Sequence, residues 1–278
     1  MGLKEKKQRL VGILKAYDAA AVAFSGGVDS TFLLAVAKEV LGERVLAITA
    51  TSAIHSRTES LAAAEIAMTL GVTHRVVASR EMDLPEFVAN PASRCYVCKR
   101  HVMAEVVRIA AEMGIAHVAH GVNVDDLDDF RPGLKAAEEL GLLAPLVEAG
   151  LTKADIRTLS RRMGLTTWNK PSMACLASRI PYGTVITPEN LRMVDDAEVF
   201  LHGLGFAGCR VRHHGAVARI ELAQRDFKKA LAAPARTAIV RRLREVGFRY
   251  VAVDLEGYVM GSLNRALEQG VEKLRLRP

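Results

Sequence analysis

Long apolar runs are missing from this chain of 278 residues; no stretch approaches the ~20 consecutive apolar residues a membrane helix needs. A leader is missing too. The charged start (Lys4, Glu5, Lys6, Lys7, Arg9) runs into Lys15 and Asp18, which interrupt the apolar core of a signal peptide. Lys6 stands where a myristoylation signal carries Ser or Thr. These absences read as a cytoplasmic protein with no membrane partner. Aromatic residues make up only 5%, with Ala and Val prominent, which argues for helices packed on a parallel sheet and against a β-sandwich. Cysteine is scarce at four residues, and a reducing compartment excludes structural disulfides as their purpose. No second CxxC completes a four-cysteine zinc site, and no Gly-Lys-Ser/Thr follows a glycine-rich turn as a Walker A loop requires. Internal repeats and low-complexity tracts are also absent.

What is present is ordinary in bulk: 50% hydrophobic and 25% charged residues, enough to bury a core in one large domain or two modest ones. The net charge of +7 permits an anionic partner, with nucleotide, phosphorylated small molecule and tRNA all qualifying.

The chain is organised around residues 21–31. An apolar run ending at Phe24 feeds Ser25-Gly26-Gly27, and an amphipathic helix follows with Phe32, Leu33, Leu34, Val36 and Ala37. The glycines allow a sharp turn and close approach of a ligand, and the new helix offers unpaired N–H groups suited to phosphate. Ser25, Ser30 and Thr31 add hydroxyls, and Asp29 adds a carboxylate that could hold Mg²⁺. Further strands are expected at 44–50, 74–78 and 116–119, with helices at 3–17, 57–70, 98–113 and 152–163. This β-α-β-α-β-α-β alternation predicts an α/β, doubly wound parallel sheet with ligands at the carboxyl edge, where the strand ending at Thr51 arrives. Asp125, Asp126, Asp128 and Asp129 follow the fourth strand on that edge. They are read as holding Mg²⁺ or ribose, with Arg131 near phosphate.

Composition changes over 165–185, which is loop-like and makes the expected linker, with Asn169, Pro171, Pro181 and Gly183. The domains are accordingly expected at 1–165 and 166–278. The second is a smaller α+β unit with a helix from Thr187 to about Leu204, strands at 209–213 and 216–222, a helix near 234–246 and a strand at 250–254. Alternation puts Arg210 and Arg212 on one strand face.

Cys95-Tyr96-Val97-Cys98 admits a redox pair, half a zinc site, or two ligands of an iron–sulfur cluster. Cys175 lies in a Pro/Ser/Arg loop between Lys170 and Arg179, cations that favour a thiolate. Cys209 reads as a small core residue.

Ser25-Gly26-Gly27-Val28-Asp29-Ser30 resembles the PP-loop of the N-type ATP pyrophosphatases, which cleave ATP between the α and β phosphates. Five segments in order, at 25–30, 90–99, 121–133, 168–184 and 209–221, are similar to the LarE-type ATP-dependent sulfur transferases. That resemblance implies adenylation of a carboxylate of pyridinium-3,5-biscarboxylic acid mononucleotide, followed by replacement of AMP with sulfur. It implies ATP and Mg²⁺ at Ser25, Gly26, Gly27, Asp29, Ser30, Thr51, Lys99, Asp129 and Arg131. The small-molecule nucleotide substrate falls to Arg179, Arg210, Arg212, Glu198 and Glu221, and sulfur transfer to Cys95, Cys98 and Cys175. Family members with three such cysteines are read as binding a [4Fe–4S] cluster, and relatives form homo-oligomers. The sulfur donor is not named by the sequence. A tRNA thiolation enzyme, an ammonia-using synthetase of the GMP or NAD synthetase type, and a nucleotide-binding or sulfur-carrier protein are the competing readings. A nucleic acid partner is not expected, because the further Cys-rich zinc motifs of tRNA thiolation enzymes are absent.

Overall fold

A computed structural model describes residues 2–127, 132–171, 174–259 and 261–265. In chain order its first elements are α1 (Leu3–Lys15), β1 (Ala20–Ala23), α2 (Val28–Leu41), β2 (Val45–Thr51), α3 (Arg57–Thr69) and β3 (Thr73–Ala78). Next come α4 (Pro85–Val88), α5 (Arg94–Glu112), β4 (His117–His120), α6 (Pro132–Glu139), α7 (Pro145–Glu148) and α8 (Lys153–Arg162). The chain continues with α9 (Pro188–Gly203), β5 (Arg210–His214), β6 (Val217–Glu221), α10 (Phe227–Leu231), α11 (Ala233–Val246) and β7 (Tyr250–Val253). Two compact units result: residues 1–84 with 93–173, and residues 85–92 with 174–278.

The first unit is the expected α/β fold. Its four strands run in the order β3-β2-β1-β4, and every pair is parallel. Because β1 is central and made of small residues, Ala20, Ala21 and Val22 are fully buried, and α2 can lie close against the sheet. Phe32, Leu33, Leu34, Val36 and Ala37 of that helix then join Leu10, Leu14, Ile156 and Leu159 from α1 and α8 in one core. On the other face Val102, Met103, Val106 and Ala110 of α5 pack with Ala21, Leu46 and Ile48. Helices on both faces bury the sheet, as an all-parallel sheet requires. Strand order reverses between β1 and β4, which opens a crevice at their carboxyl ends.

The second unit is a smaller α+β fold with strand order β5-β6-β7. β5 and β6 form an antiparallel hairpin about Gly215 (φ +63°), and β7 joins β6 in parallel. Met193, Ala197 and Leu201 of α9 and Ile239 and Leu243 of α11 cover Val211, Ala218 and Ile220.

One expectation is corrected: α5 starts at Arg94, not near 98, so both cysteines of the CxxC lie within its first five residues. The division between the two units falls between residues 173 and 174, inside the 165–185 stretch, and that stretch is held on either side. Arg157 of α8 donates to the carbonyls of Trp168 (3.3 Å) and Lys170 (3.0 Å). At the other end the Asn90 side chain, fully buried with φ +57°, donates to the carbonyls of Ile180, Pro181 and Thr184 at 3.3, 2.7 and 2.9 Å. Those bonds tie 85–92 into the second unit.

Candidate active site

The glycine turn sits at the sheet's switch point. Gly26 takes φ +67°, and a Cβ there would also meet the backbone and side chain of Ala63 at 3.1 Å, so glycine is required twice over. Gly27 is the N-cap of α2 and supplies no capping side chain, which leaves first-turn N–H groups open toward the crevice. Ser25 and Ser30 close the loop on itself: their hydroxyls lie 3.1 Å apart, the Ser25 N–H donates to Ser30 Oγ (3.3 Å), and Ser30 Oγ donates to the Gly27 carbonyl (3.3 Å). Below, the Thr49 hydroxyl donates to the Phe24 carbonyl (2.6 Å) and His74 Nε2 lies 2.8 Å from Thr49 Oγ1, fixing the strand end that feeds the turn. On the β4 side Gly121 packs directly on α2. A Cβ there would meet Ser30 N at 2.8 Å and Ser30 Cα at 3.0 Å.

Asp29 sits at the mouth of this turn. Burial pushes its carboxyl above the usual carboxylate range, and the Lys153 ammonium, hydrogen-bonded to it, works against that shift. Asn123 Nδ2 donates to the other Asp29 oxygen (3.4 Å). Of the aspartates after β4, Asp126 accepts from the N–H and side chain of Asn123 (3.0 and 2.8 Å), and Asp125 accepts from the Lys153 N–H (2.9 Å). Asp126 thus caps its own turn, and Asp125 binds the first N–H of α8. Asp128, Asp129 and Arg131 lie outside the described residues.

Beside the turn, the ends of β2, β3 and β4 gather polar groups. Ser79 N–H donates to the Thr51 carbonyl (2.8 Å), and the hydroxyls of Ser52 and Ser79 both donate to the fully buried Glu81. Lys99, on the second turn of α5, is held below the usual lysine range by burial. Its charge adds to the burial that lowers His55 and brings His120 down to about 4. Burial thus disfavours the charged form of both imidazoles. Gly133 of α6 approaches Lys99 closely, and a Cβ there would meet Lys99 Cβ at 3.2 Å.

In the second unit, the five residues expected around substrate form one buried cluster. Arg179 and Glu198 make a two-pronged pair (2.9 and 2.8 Å) with side chains 1% and 5% exposed. Glu198 also accepts from the Val211 N–H (2.9 Å). Arg212 donates to Glu221 (2.7 Å) and to the Ser178 carbonyl (2.9 Å), and leaves its buried Nε–H without a partner among the described residues. Arg210, opposite Glu221 in the strand register, lies 5.2 Å from the Tyr258 ring. Three buried guanidinium groups face two buried carboxylates here, with Arg219 and Asp254 pairing at the margin (3.1 Å).

Cys175 caps the 3₁₀ turn Leu176–Arg179 and is partly exposed. Arg179 Nη1 donates to the carbonyls of Ala174 (2.5 Å) and Cys175 (3.0 Å), so that guanidinium grips the backbone of the cysteine loop. Lys170, read from sequence as a cation flanking Cys175, instead donates to the Gly26 carbonyl (2.9 Å). Cys95 is exposed and Cys98 partly so, three residues apart on one helix face. They belong to the first unit and Cys175 to the second. Among the described residues no group of three or more His, Cys, Asp or Glu side chains is gathered in a way that could hold a metal ion. Cys209 is the expected core residue: fully buried, its thiol is pushed up to about 12 by burial. Sequence reasoning missed Lys153, His55, His120 and Glu81, since each gains its neighbours only through strand order.

No helix among the described residues is long and apolar enough to cross a membrane. The asparagine synthase family model matches residues 14–97, the span that contains the glycine turn. The chain is 41% identical over 265 residues to an uncharacterised protein of Synechocystis, covering 95% of this chain and 99% of that one. It is 38% identical over 266 residues to the pyridinium-3,5-bisthiocarboxylic acid mononucleotide synthase of Lactiplantibacillus plantarum, covering 95% and 96%. A protein of Methanocaldococcus jannaschii is 26% identical over 244 residues, covering 85% and 89%. With the parallel sheet, the glycine turn at its switch point and near end-to-end similarity in hand, the chain belongs to the LarE family of PP-loop, ATP-dependent sulfurtransferases.

Proposed function

We propose that this enzyme adenylates a carboxylate of pyridinium-3,5-biscarboxylic acid mononucleotide and converts it to a thiocarboxylate. A carboxylate oxygen attacks the α-phosphorus of ATP and pyrophosphate leaves; a sulfur nucleophile then attacks the acyl carbon and AMP leaves. The glycine turn suits the first half, since open N–H groups at α2 and the hydroxyls of Ser25 and Ser30 meet charge on departing pyrophosphate. Asp29 is the carboxylate that would hold Mg²⁺, which supplies charge neutralisation to the triphosphate. Thr51, Lys99, Asp129 and Arg131 complete the proposed nucleotide set. Arg179, Arg210, Arg212, Glu198 and Glu221 serve the mononucleotide, with Arg210 and Arg212 meeting its phosphate.

The observation that carries this reading is the grip of Arg179 on the Cys175 loop from inside the buried arginine cluster. A partly exposed thiol thus lies on a loop held by a buried cluster of three arginines and two glutamates. Cys209 is sealed in the core while Cys95 is exposed and Cys98 and Cys175 partly so, which leaves three of the four thiols for this role. Those three would hold a [4Fe–4S] cluster, whose free iron would supply an exchangeable sulfide. A cytoplasmic location and self-association into a homo-oligomer are part of the same proposal.

Anaerobic reconstitution with iron and sulfide, followed by ATP, Mg²⁺ and the dicarboxylate mononucleotide, tests it. The expected products are AMP, pyrophosphate and thiocarboxylate over several turnovers, with product lost in Cys175→Ala. Conversion of Cys175 to dehydroalanine in a single turnover refutes the cluster. ATP cleavage that needs bulk tRNA or ammonia instead of the mononucleotide refutes the substrate.

A further inference from the structure

The three strands of the second unit divide their faces by charge. Val211, Ala218 and Ile220 lie on the apolar face, where α9 and α11 cover them. The opposite face carries Arg210 and Arg212 of β5 with Arg219 and Glu221 of β6, since residues two apart share a face. Asp254 joins them just past β7, where its N–H donates to the Ile220 carbonyl (2.9 Å). In the hairpin register Arg212 stands directly opposite Arg219. Like charges so placed repel, and Glu221 answers both. One of its oxygens accepts from Arg212 Nη2 (2.7 Å) and the other from Arg219 Nη2 (3.0 Å). Arg219 is braced in turn by Asp254 (3.1 Å), and its side chain is 37% exposed, while Arg212 and Glu221 are buried. The buried Arg212 Nε–H stays without a partner among the described residues.

A glutamate with both oxygens free takes the Nε and Nη2 edge of an arginine together, as Glu198 takes that of Arg179 in the same unit. Glu221 does not take the matching edge of Arg212, because its second oxygen is engaged by Arg219. We propose that Arg219 is a positioning residue that holds Glu221 off the Arg212 Nε–H and so keeps that donor open to the substrate's phosphate. Leaving a buried donor unmade is costly, and an anion that arrives with the substrate recovers the cost at binding. Without Arg219, Glu221 swings fully onto Arg212, fills its Nε–H and cancels the charge that draws the phosphate. Arg219 therefore acts through Glu221 and makes no contact with substrate itself. The inference rests on the substrate reading given above and deepens it by assigning a task to Arg219, which that reading leaves out.

Isothermal titration calorimetry of the full chain tests it, with pyridinium-3,5-biscarboxylic acid mononucleotide and the corresponding nucleoside, which lacks the phosphate, as the two probes. The wild type prefers the mononucleotide. In Arg219→Gln the Kd for the mononucleotide rises by about tenfold, the worth of one charge-assisted hydrogen bond, and the Kd for the nucleoside does not move. In a Glu221→Gln background no carboxylate remains to swing onto Arg212, so adding Arg219→Gln changes the mononucleotide Kd by less than about twofold. Arg212→Lys, which lacks the Nε–H, is a second such background and meets the same expectation. Unchanged mononucleotide affinity in Arg219→Gln overturns the proposal, and so does an equal loss for both probes, which marks a general support of the fold. The full tenfold loss in either background makes Arg219 a direct phosphate contact and overturns it as well. A wild type that binds both probes alike, or neither, overturns the substrate reading and this inference together.

Discussion

Truncating Glu198 to alanine tests whether the arginine cluster is held by its charges. Arg179 and Glu198 share two hydrogen bonds at 2.9 and 2.8 Å, with side chains 1% and 5% exposed. Water therefore cannot replace the lost carboxylate. Breaking one partner of such a pair costs about 3–5 kcal/mol, most of it from the stranded guanidinium. The Val211 N–H, which Glu198 also accepts, loses its partner and adds about 1 kcal/mol. Lys7→Ala is the control, because its pair with Glu39 is largely solvated (side chains 30% and 52% exposed) and its loss costs under about 1 kcal/mol. Urea unfolding followed by far-ultraviolet circular dichroism reads both values. A compensated variant, Arg179→Met with Glu198→Leu, should recover most of the loss, since removing both charges removes the stranded one. Arg179 also holds the Ala174 and Cys175 carbonyls, so the Glu198 variant should alkylate faster at Cys175. A loss no greater than the control's would refute the claim that burial makes this pair strong.

Three further outcomes are expected. Gly121→Ala places a Cβ 2.8 Å from Ser30 N, and backbone must give way; stability should fall by about 1–3 kcal/mol, and pyrophosphate release should fall more steeply than the melting temperature implies. His120 is neutral in the fold, its value brought from 6.5 to about 4 by burial and by Lys99, so the unfolded chain takes the proton first. Its contribution is present above pH 6.5 and is lost as pH falls toward 4, by up to about 3 kcal/mol; His120→Asn should flatten the fall of urea stability between pH 7 and pH 4.5, and an unchanged slope would contradict the burial argument. Cys209, buried with its thiol pushed up to about 12, should resist iodoacetamide in the native chain while Cys95, Cys98 and Cys175 react, as peptide mapping would report.

The sequence carried the first unit because local rules agree there. Small residues in β1, glycine at 26 and 27, and an apolar helix after them specify strand, turn and helix without distant help, and the parallel order follows from the alternation. The second unit was legible as elements and not as a site. Alternation put Arg210 and Arg212 on one face, but only the contacts of Arg212 with Glu221 and the Ser178 carbonyl show that face to be buried, and only the folded chain brings Glu198 to Arg179. Likewise no local pattern singles out Asn90, while its reach to three carbonyls some ninety residues away is what recruits 85–92 to the second unit.

Charges were the hardest to read, because a charge is usually assigned to whatever lies near it in the chain. Lys170 was placed beside Cys175 on that ground and is found on Gly26, 144 residues back. Lys153 gave no signal at all, yet it offsets Asp29 at the turn. A long cation reaches well past its neighbours in sequence and settles where burial has stranded an acceptor or a carboxylate. Topology brings the acceptors together: past the carboxyl end of β1, Asp29 takes Lys153 from α8 and the Gly26 carbonyl takes Lys170. Sequence spacing therefore locates the turn, and strand order decides which cations serve it.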